Sequence, residues 1–210
     1  MSSLLIRQKR FVSLVLCTLI LTVSAWLTPY FQWDLSLALF IQSLDLPVVK
    51  NVSYFLHELG QPILATLGLI ILTGVFLLIN LRAPAVLVAA TVIPNALNQG
   101  IKSIIARPRP DESIVQVLVE SGSNSFPSGH LVHFTVLLGT LVYLIMRSNA
   151  SRHTKIFATV SAVAAICAIS FARVYLGAHW ASDVVGGVLW GVMYLSIMLF
   201  LYTKWRKSRS

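Results

Sequence analysis

Three short stretches of this chain concentrate side chains that could act on a phosphate group. They are "KSIIARPRP" from residue 102, "FPSGH" ending at residue 130, and "RVYLGAHWASD" from residue 173 to residue 183. Their cations can neutralise the oxygens of a phosphate monoester or pyrophosphate, while one histidine attacks phosphorus and another protonates the leaving group. The three cations, two imidazoles, one hydroxyl and one carboxylate are Lys102, Arg109, Arg173, His130, His179, Ser128 and Asp183.

Spacing within two of these stretches suggests a part for each residue. His179 and Asp183 lie four residues apart, so on a helical turn the carboxylate can accept a hydrogen bond from one ring nitrogen. The other ring nitrogen is then available as a nucleophile. Gly129 allows the backbone to approach an anion closely, and the start of the following helix offers unpaired N–H groups. Ser128 adds a hydroxyl donor, and His130 beside it is the candidate acid.

The stretches are embedded in a strongly apolar chain, which limits the folds that could position them. Of the 210 residues, 57% are hydrophobic and 11% are charged, which is typical of an integral membrane protein. Six segments approach the roughly 20 apolar residues that a membrane-spanning helix needs. They run over residues 11–28, 62–81, 84–105, 130–147, 156–176 and 183–203. We find no linker or internal repeat, so residues 1–210 are predicted to form one all-α membrane domain, a bundle of six transmembrane helices.

Polar residues distinguish the third predicted span from the others. Asn95, Asn98 and Lys102 recur at spacings of three and four and therefore share one helical face. Polar side chains at membrane depth turn toward partners or a wet cavity, so this face is expected to point into the bundle. Pro94 is expected to kink the helix, and "RPRP" at 107–110 is expected to end it.

The distribution of basic residues predicts the orientation in the membrane. A formal net charge of +9 could suggest a nucleic-acid partner, but the charges are spread over short loops, so we predict none. Cytoplasmic loops carry an excess of Lys and Arg. With a cytoplasmic N-terminus, eleven of these residues fall inside: Arg7, Lys9, Arg10, Arg82, Arg147, Arg152, Lys155, Lys204, Arg206, Lys207 and Arg209. We therefore predict a multi-pass protein of the cell membrane with both termini cytoplasmic and an extracytoplasmic active site.

Other features of the chain have simpler interpretations. Cys17 and Cys167 both lie inside predicted spans, so we infer neither a disulfide nor a metal site. The first span also resembles a signal peptide with a possible cleavage site at Val23-Ser24-Ala25, so its removal remains an alternative. The segment 29–61 is predicted to lie at the outer interface of the membrane.

Several polar residues have a structural interpretation beside the chemical one. Lys102 could extend its charge to the membrane surface, and Asp183 could cap a helix as well as orient a histidine. Arg107 is interpreted as an ordinary loop charge. The histidines interpreted as lying outside the site are His57, His133 and His153. Each structural interpretation is plausible alone, but their coincidence at matched spacing in three stretches favours a shared function.

In order and spacing, the three stretches resemble the motifs of the type 2 phosphatidic acid phosphatase family, also called the lipid phosphate phosphatases. The matching residues are, motif by motif, Lys102 with Arg109-Pro110, then Pro127 to His130, then Arg173, His179 and Asp183. One departure is Ala172, which stands where the family has a serine. The motifs cover residues 102–183, and the predicted spans extend the resemblance to nearly the whole chain.

This resemblance implies a role for each matching residue. His179 would be the nucleophile that forms a phosphohistidine, and Asp183 would orient it. His130 would protonate the leaving oxygen and then activate water. The phosphoryl oxygens would be held by Lys102, Arg109, Ser128, Gly129 and Arg173. The family needs no metal or other cofactor, and the sequence has no cluster of carboxylates suited to Mg²⁺.

The implied function is that of a metal-independent membrane lipid phosphatase. Its expected substrates are undecaprenyl pyrophosphate, phosphatidylglycerophosphate or phosphatidate, and an outward-facing site favours the first because it suits recycling of a lipid carrier. One alternative is a phosphotransferase that passes the phosphoryl group from His179 to another lipid. A second alternative is a small transporter or channel lined by Lys102, Asn98 and Arg173.

Overall fold

The computed structural model describes residues 2–120, 122 and 124–208, with side chains described from residue 8 onward. Arg209 and the side chain of Arg7, both predicted to be cytoplasmic, lie outside the described set. The described residues form nine α-helices and no β-strand, which confirms the all-α prediction. The helices are α1 Ser2–Leu27, α2 Gln32–Gln42, α3 Pro47–Leu59, α4 Pro62–Leu78, α5 Arg82–Ala89, α6 Val92–Ile105, α7 Gly129–Arg147, α8 Arg152–Tyr175 and α9 Ala181–Lys207.

Four of these helices, and α5 joined to α6, are long and apolar enough to cross a membrane. Five candidate spans are Gln8–Leu27, Arg82–Ile105, Gly129–Arg147, Arg152–Tyr175 and Ala181–Lys207. A sixth candidate is the pair α3 and α4, which is bent by 64°. The predicted span 62–81 corresponds to the second arm of that pair, and each of the other predicted spans overlaps one of the five. The prediction of a helical membrane bundle is confirmed.

The third predicted span is interrupted near its proline. Helix α5 ends at Ala89 and α6 begins at Val92, so a turn separates them. Pro94 has no N–H group to donate to the carbonyl of Ala90, which breaks the regular hydrogen-bond ladder at this point. Helix α6 then ends directly before the "RPRP" sequence, as predicted, with Ala106 at a positive φ of 49°.

Helices α7 and α9 pack against each other through small residues. A side-chain carbon at Gly187 would lie 2.7 Å from the main-chain oxygen of Ser128, and one at Gly191 would lie 2.7 Å from Cβ of Thr135. Only glycine leaves room for this approach. The start of α9 is thereby held against the start of α7. The "FPSGH" and "RVYLGAHWASD" stretches meet at this point.

The segment 29–61, predicted to lie at the membrane interface, forms helices α2 and α3. Helix α2 packs against α8 and α9, while α3 packs against α8. At the end of α2, the Gln42 side chain donates to the carbonyls of Gln116 and Tyr175 at 2.7 and 3.1 Å. Gln42 thereby ties the loop between α6 and α7 to the end of α8.

Candidate active site

The three predicted stretches meet where α6 ends, α7 begins and α8 is followed by α9. They border a cavity of about 470 Å³. Two predicted site residues, Ser128 and Asp183, are fully buried beside it with no exposed surface. The other six line the cavity: Lys102, Arg109, Gly129, His130, Arg173 and His179.

His179 lies in the short turn between α8 and α9, with 2% of its surface exposed. Its Nε2 atom is 3.3 Å from Nη1 of Arg109. Because a guanidinium only donates hydrogen bonds, Nε2 must be the acceptor and the ring proton must reside on Nδ1. Nδ1 faces Oδ2 of Asp183 at 3.6 Å. This distance is too long for the hydrogen bond that the sequence predicted between them. The carboxylate is therefore placed to orient the ring but does not bond to it in this geometry.

The surroundings of His179 favour its neutral form. Burial, and after it the positive charges of Arg109, Arg173 and Lys102, lower the pKa of His179 well below its ordinary value of 6.5. A neutral imidazole has a lone pair on Nε2. At neutral pH, His179 is thus in the protonation state that a nucleophile requires.

Asp183 is held by a set of donors that explains its distance from His179. Its Oδ1 accepts from Nη1 of Arg107 at 2.6 Å. Its Oδ2 accepts from the Trp180 N–H at 2.8 Å and also from the hydroxyl of Ser125. The bond to Trp180 caps the first turn of α9. Asp183 therefore caps the helix and faces the histidine at the same time.

Arg107 belongs to a buried ion-pair network, so its interpretation as an ordinary loop charge is wrong. It is 1% exposed, and its Nη2 lies 3.2 Å from Oδ2 of the fully buried Asp34 on α2. Its Nε donates to the carbonyls of Thr28 and Pro29, each at 3.1 Å. Asp34 also accepts from the N–H and hydroxyl of Ser182, both at 2.7 Å. A carboxylate in an apolar segment was the sequence signal that could have revealed this pairing.

Two of the cavity cations are held by a residue that the sequence patterns did not reveal. The main-chain carbonyl of Asn124 accepts from Nζ of Lys102 at 2.8 Å and from Nη2 of Arg109 at 3.4 Å. The Asn124 side chain donates to the carbonyl of Lys102 at 2.9 Å. These bonds hold the ends of both cations together at the side of the cavity.

His57 lines the cavity, so the prediction that it lies outside the site is wrong. It lies near the end of α3 and is 5% exposed. Its ring is parallel to that of His130, with the ring centres 5.6 Å apart. Its Nδ1 also contacts the guanidinium of Arg173. The helix carries several polar residues, so the sequence offered no signal that singled out His57.

The polar face of α6 lines part of the cavity and points inward, as its spacing predicted. Asn95 and Asn98 line it together with Lys102. Asn95 bonds to Nδ1 of His133 on α7 at 2.9 Å. His133 also lines the cavity, so the prediction that it lies outside the site is wrong as well. His153 is exposed near the start of α8, away from these residues.

The donor set of the site suits an anion. Ser128 Oγ and Arg173 Nε are buried and have no hydrogen-bond partner within the described part of the chain. Buried polar atoms are normally paired, so both donors are available to an acceptor such as a phosphoryl oxygen. Across residues 2–120, 122 and 124–208, no group of three or more His, Cys, Asp or Glu side chains is arranged to hold a metal ion.

Comparison with known sequences identifies a matching family and two relatives. Residues 83–207 match the PAP2 superfamily. Phosphatidylglycerophosphatase B of Bacillus subtilis is 34% identical over 110 residues, which cover 51% of this chain and 50% of that protein. Lipid phosphate phosphatase delta of Arabidopsis thaliana is 27% identical over 117 residues, which cover 51% of this chain and 28% of that protein. The chain thus spans half or less of the length of these relatives.

Two solved structures are similar over most of the chain. A transmembrane PAP2-type phosphatidylglycerolphosphate phosphatase from Bacillus subtilis superposes with a TM-score of 0.79 at 24% identity, covering 92% of this chain and 96% of that one. Aquifex aeolicus LpxE superposes with a TM-score of 0.61 at 25% identity, and the superposition covers 80% of this chain and 96% of LpxE. The first likeness shows that the shared fold extends beyond the region matched by sequence.

Proposed function

The chain belongs to the PAP2 superfamily, and from this membership we propose that it is a membrane lipid phosphatase that hydrolyses a phosphate monoester or pyrophosphate on a lipid. One observation carries the proposal. The cations Lys102, Arg109 and Arg173 line the same cavity as the imidazoles of His130 and His179. Because charge on the phosphoryl oxygens must be stabilised while the bonds to phosphorus change, cations beside a nucleophile and an acid suit this reaction.

In the first step, Nε2 of His179 forms a bond to phosphorus as the bond from phosphorus to the lipid oxygen breaks. His130 supplies a proton to that oxygen. Its Nε2 lies 2.9 Å from the main-chain carbonyl of His57, an acceptor that keeps a proton on Nε2. The transferred proton therefore comes from Nδ1 of a doubly protonated ring, a form that the negative charge of the bound phosphate group stabilises. The products are the lipid alcohol, or lipid monophosphate, and a phosphohistidine.

In the second step, water attacks the phosphohistidine. His130, now neutral, takes a proton from that water on Nδ1, and the bond between phosphorus and His179 breaks. Inorganic phosphate leaves, and both histidines return to their starting states. Lys102, Arg109 and Arg173 hold the phosphoryl oxygens in both steps, with Ser128 and the start of α7 as further donors. We propose that this protein-derived positive charge makes the reaction independent of a metal ion.

A lipid substrate follows from the position of the cavity between candidate membrane spans. Apolar and small residues of α4, including Ala65 and Leu69, line it beside the polar residues. A phosphate can thus reach the cations while its hydrocarbon tail stays among the helices. Two lipids are candidates for the substrate. The name of the Bacillus relative favours phosphatidylglycerophosphate, whereas an outward-facing site favours undecaprenyl pyrophosphate because it suits recycling of a lipid carrier.

Purified protein in detergent is expected to release phosphate from at least one member of a lipid phosphate panel. The panel contains undecaprenyl pyrophosphate, phosphatidylglycerophosphate and phosphatidate, each assayed with and without a magnesium chelator. Release should persist in the chelator because the cations belong to the protein. Lack of release from every lipid would contradict the proposed function, while a requirement for added Mg²⁺ would contradict metal independence alone.

We further propose that both termini are cytoplasmic and that the cavity opens on the extracytoplasmic side. In a variant lacking Cys17 and Cys167, Glu112→Cys places a thiol in the exposed loop between α6 and α7. The matched variant Asn149→Cys places one in the exposed loop between α7 and α8, at the other end of α7. A membrane-impermeant maleimide is expected to label the first in intact cells and the second only after lysis. The reverse pattern would overturn this orientation.

A further inference from the structure

We propose that His57 is a positioning residue for this reaction, through its contacts with the phosphate-binding Arg173 and with the acid His130. The inference rests on the proposed phosphatase function and deepens it. His57 precedes the region that matches the PAP2 superfamily, which begins at residue 83. It contacts two residues that come from α7 and α8, although it lies on α3.

The first contact orients the guanidinium of Arg173. Nη1 of Arg173 donates to Nδ1 of His57, because a guanidinium has no acceptor atom. Nε of Arg173 has no hydrogen-bond partner among the described residues. One edge of the guanidinium is therefore held by His57, while Nε is left for a phosphoryl oxygen.

The same contact determines the tautomer of His57. With Nδ1 accepting, the proton of a neutral ring resides on Nε2, which needs an acceptor. The side-chain amide of Gln61 lies 2.7 Å from Nε2 and provides its oxygen when the amide is assigned from this network. Gln61 lies in the bend, directly before α4, so the bend itself supplies the partner that keeps Nδ1 of His57 available as an acceptor.

The second contact orients His130. The main-chain carbonyl of His57 lies 2.9 Å from Nε2 of His130, and the two rings are stacked with only 5° between their planes. A side-chain carbon at Gly60 would overlap the His130 ring, so the backbone of the bend also lies directly against it. With Nε2 held in this way, Nδ1 is the ring atom left for proton transfer.

The two contacts are separable by mutation because one uses the side chain and the other the main chain. His57→Phe keeps the ring shape and the carbonyl but removes the acceptor for Arg173. His57→Ala also removes this acceptor and introduces no large side chain. It provides a second variant should His57→Phe fail to fold. His57→Asn retains an acceptor oxygen close to the position of Nδ1. His153→Phe, at an exposed site on α8, is the matched control.

Orthovanadate, a phosphate analogue, measures the positioning of Arg173 more directly than turnover does. We expect His57→Phe and His57→Ala to raise its inhibition constant by about 10- to 100-fold and to lower kcat/KM similarly, because a displaced guanidinium no longer meets the phosphoryl oxygens. His57→Asn should recover most of this loss. A purely structural role would instead lower the unfolding temperature of the ligand-free protein and give no recovery with Asn.

Failure of this inference can be told apart from failure of the proposed function. If the wild type releases phosphate and folded His57→Phe shows unchanged kcat, KM and vanadate inhibition, the role of His57 is overturned and the phosphatase stands. If the wild type is inactive on every lipid, the thermal shift produced by inorganic phosphate serves as the readout. That shift should then be lost in His57→Phe and retained in His57→Asn and His153→Phe. An equal shift in all of them would overturn the inference.

Discussion

The substitution His179→Asn is expected to reduce phosphate release from lipid phosphates by about 10⁴-fold or more, because it removes the only proposed nucleophile. The imidazole is 2% exposed and sits between Arg109 and Asp183, and its Nε2 faces the guanidinium of Arg109. Asparagine is smaller and polar and leaves the cations of the cavity unchanged. The fold should therefore survive while turnover is lost.

The measurement compares phosphate release by the wild type, His179→Asn and the exposed control His153→Asn under one detergent condition. Rapid quenching in alkali should also trap acid-labile phosphate on the wild type and not on His179→Asn. Undiminished release by the folded variant would contradict the nucleophile assignment. A transporter would show a different pattern, in which anion flux through reconstituted vesicles survives His179→Ala.

The substitution Arg107→Met is expected to lower the free energy of unfolding by about 3–5 kcal/mol, because it leaves two buried carboxylates without their cation. The side chains of Arg107, Asp34 and Asp183 have no exposed surface, and both ion pairs are 3.2 Å or shorter. Water therefore cannot compensate for the lost charge. Asp34→Asn should cost less, since Arg107 then still faces Asp183.

Unfolding curves in mixed detergent give the comparison, with Arg152→Met as a matched control at the exposed start of α8. The double variant Arg107→Met/Asp34→Asn should be more stable than the sum of the single effects indicates, because the second substitution removes one unpaired charge. If Arg107→Met and the control have the same free energy of unfolding, the ion-pair network contributes no stability, and the stabilising role given to it is wrong.

The predicted membrane bundle was available from the sequence because it depends on local properties. The length of an apolar segment decides whether it can span a bilayer, so five of the predicted spans match candidate spans closely. The break between α5 and α6 near Pro94 and the end of α6 before "RPRP" follow from the backbone chemistry of proline. The bend between α3 and α4 was missed, since the first arm carries polar residues that suggested an interfacial segment.

The sequence by itself determined the chemical inventory: three motifs whose spacing marks Lys102, Arg109, His130, Arg173 and His179 as the residues that now line one cavity. Only the tertiary structure decided what holds them. Asp34 reaches Arg107 across 73 residues, and His57 reaches Arg173 across 116. Helical periodicity shows which face of a helix is polar, but the partner on that face depends on how the helices pack. For that reason the sequence indicated the residues proposed to react, and the fold was needed to identify those proposed to position them.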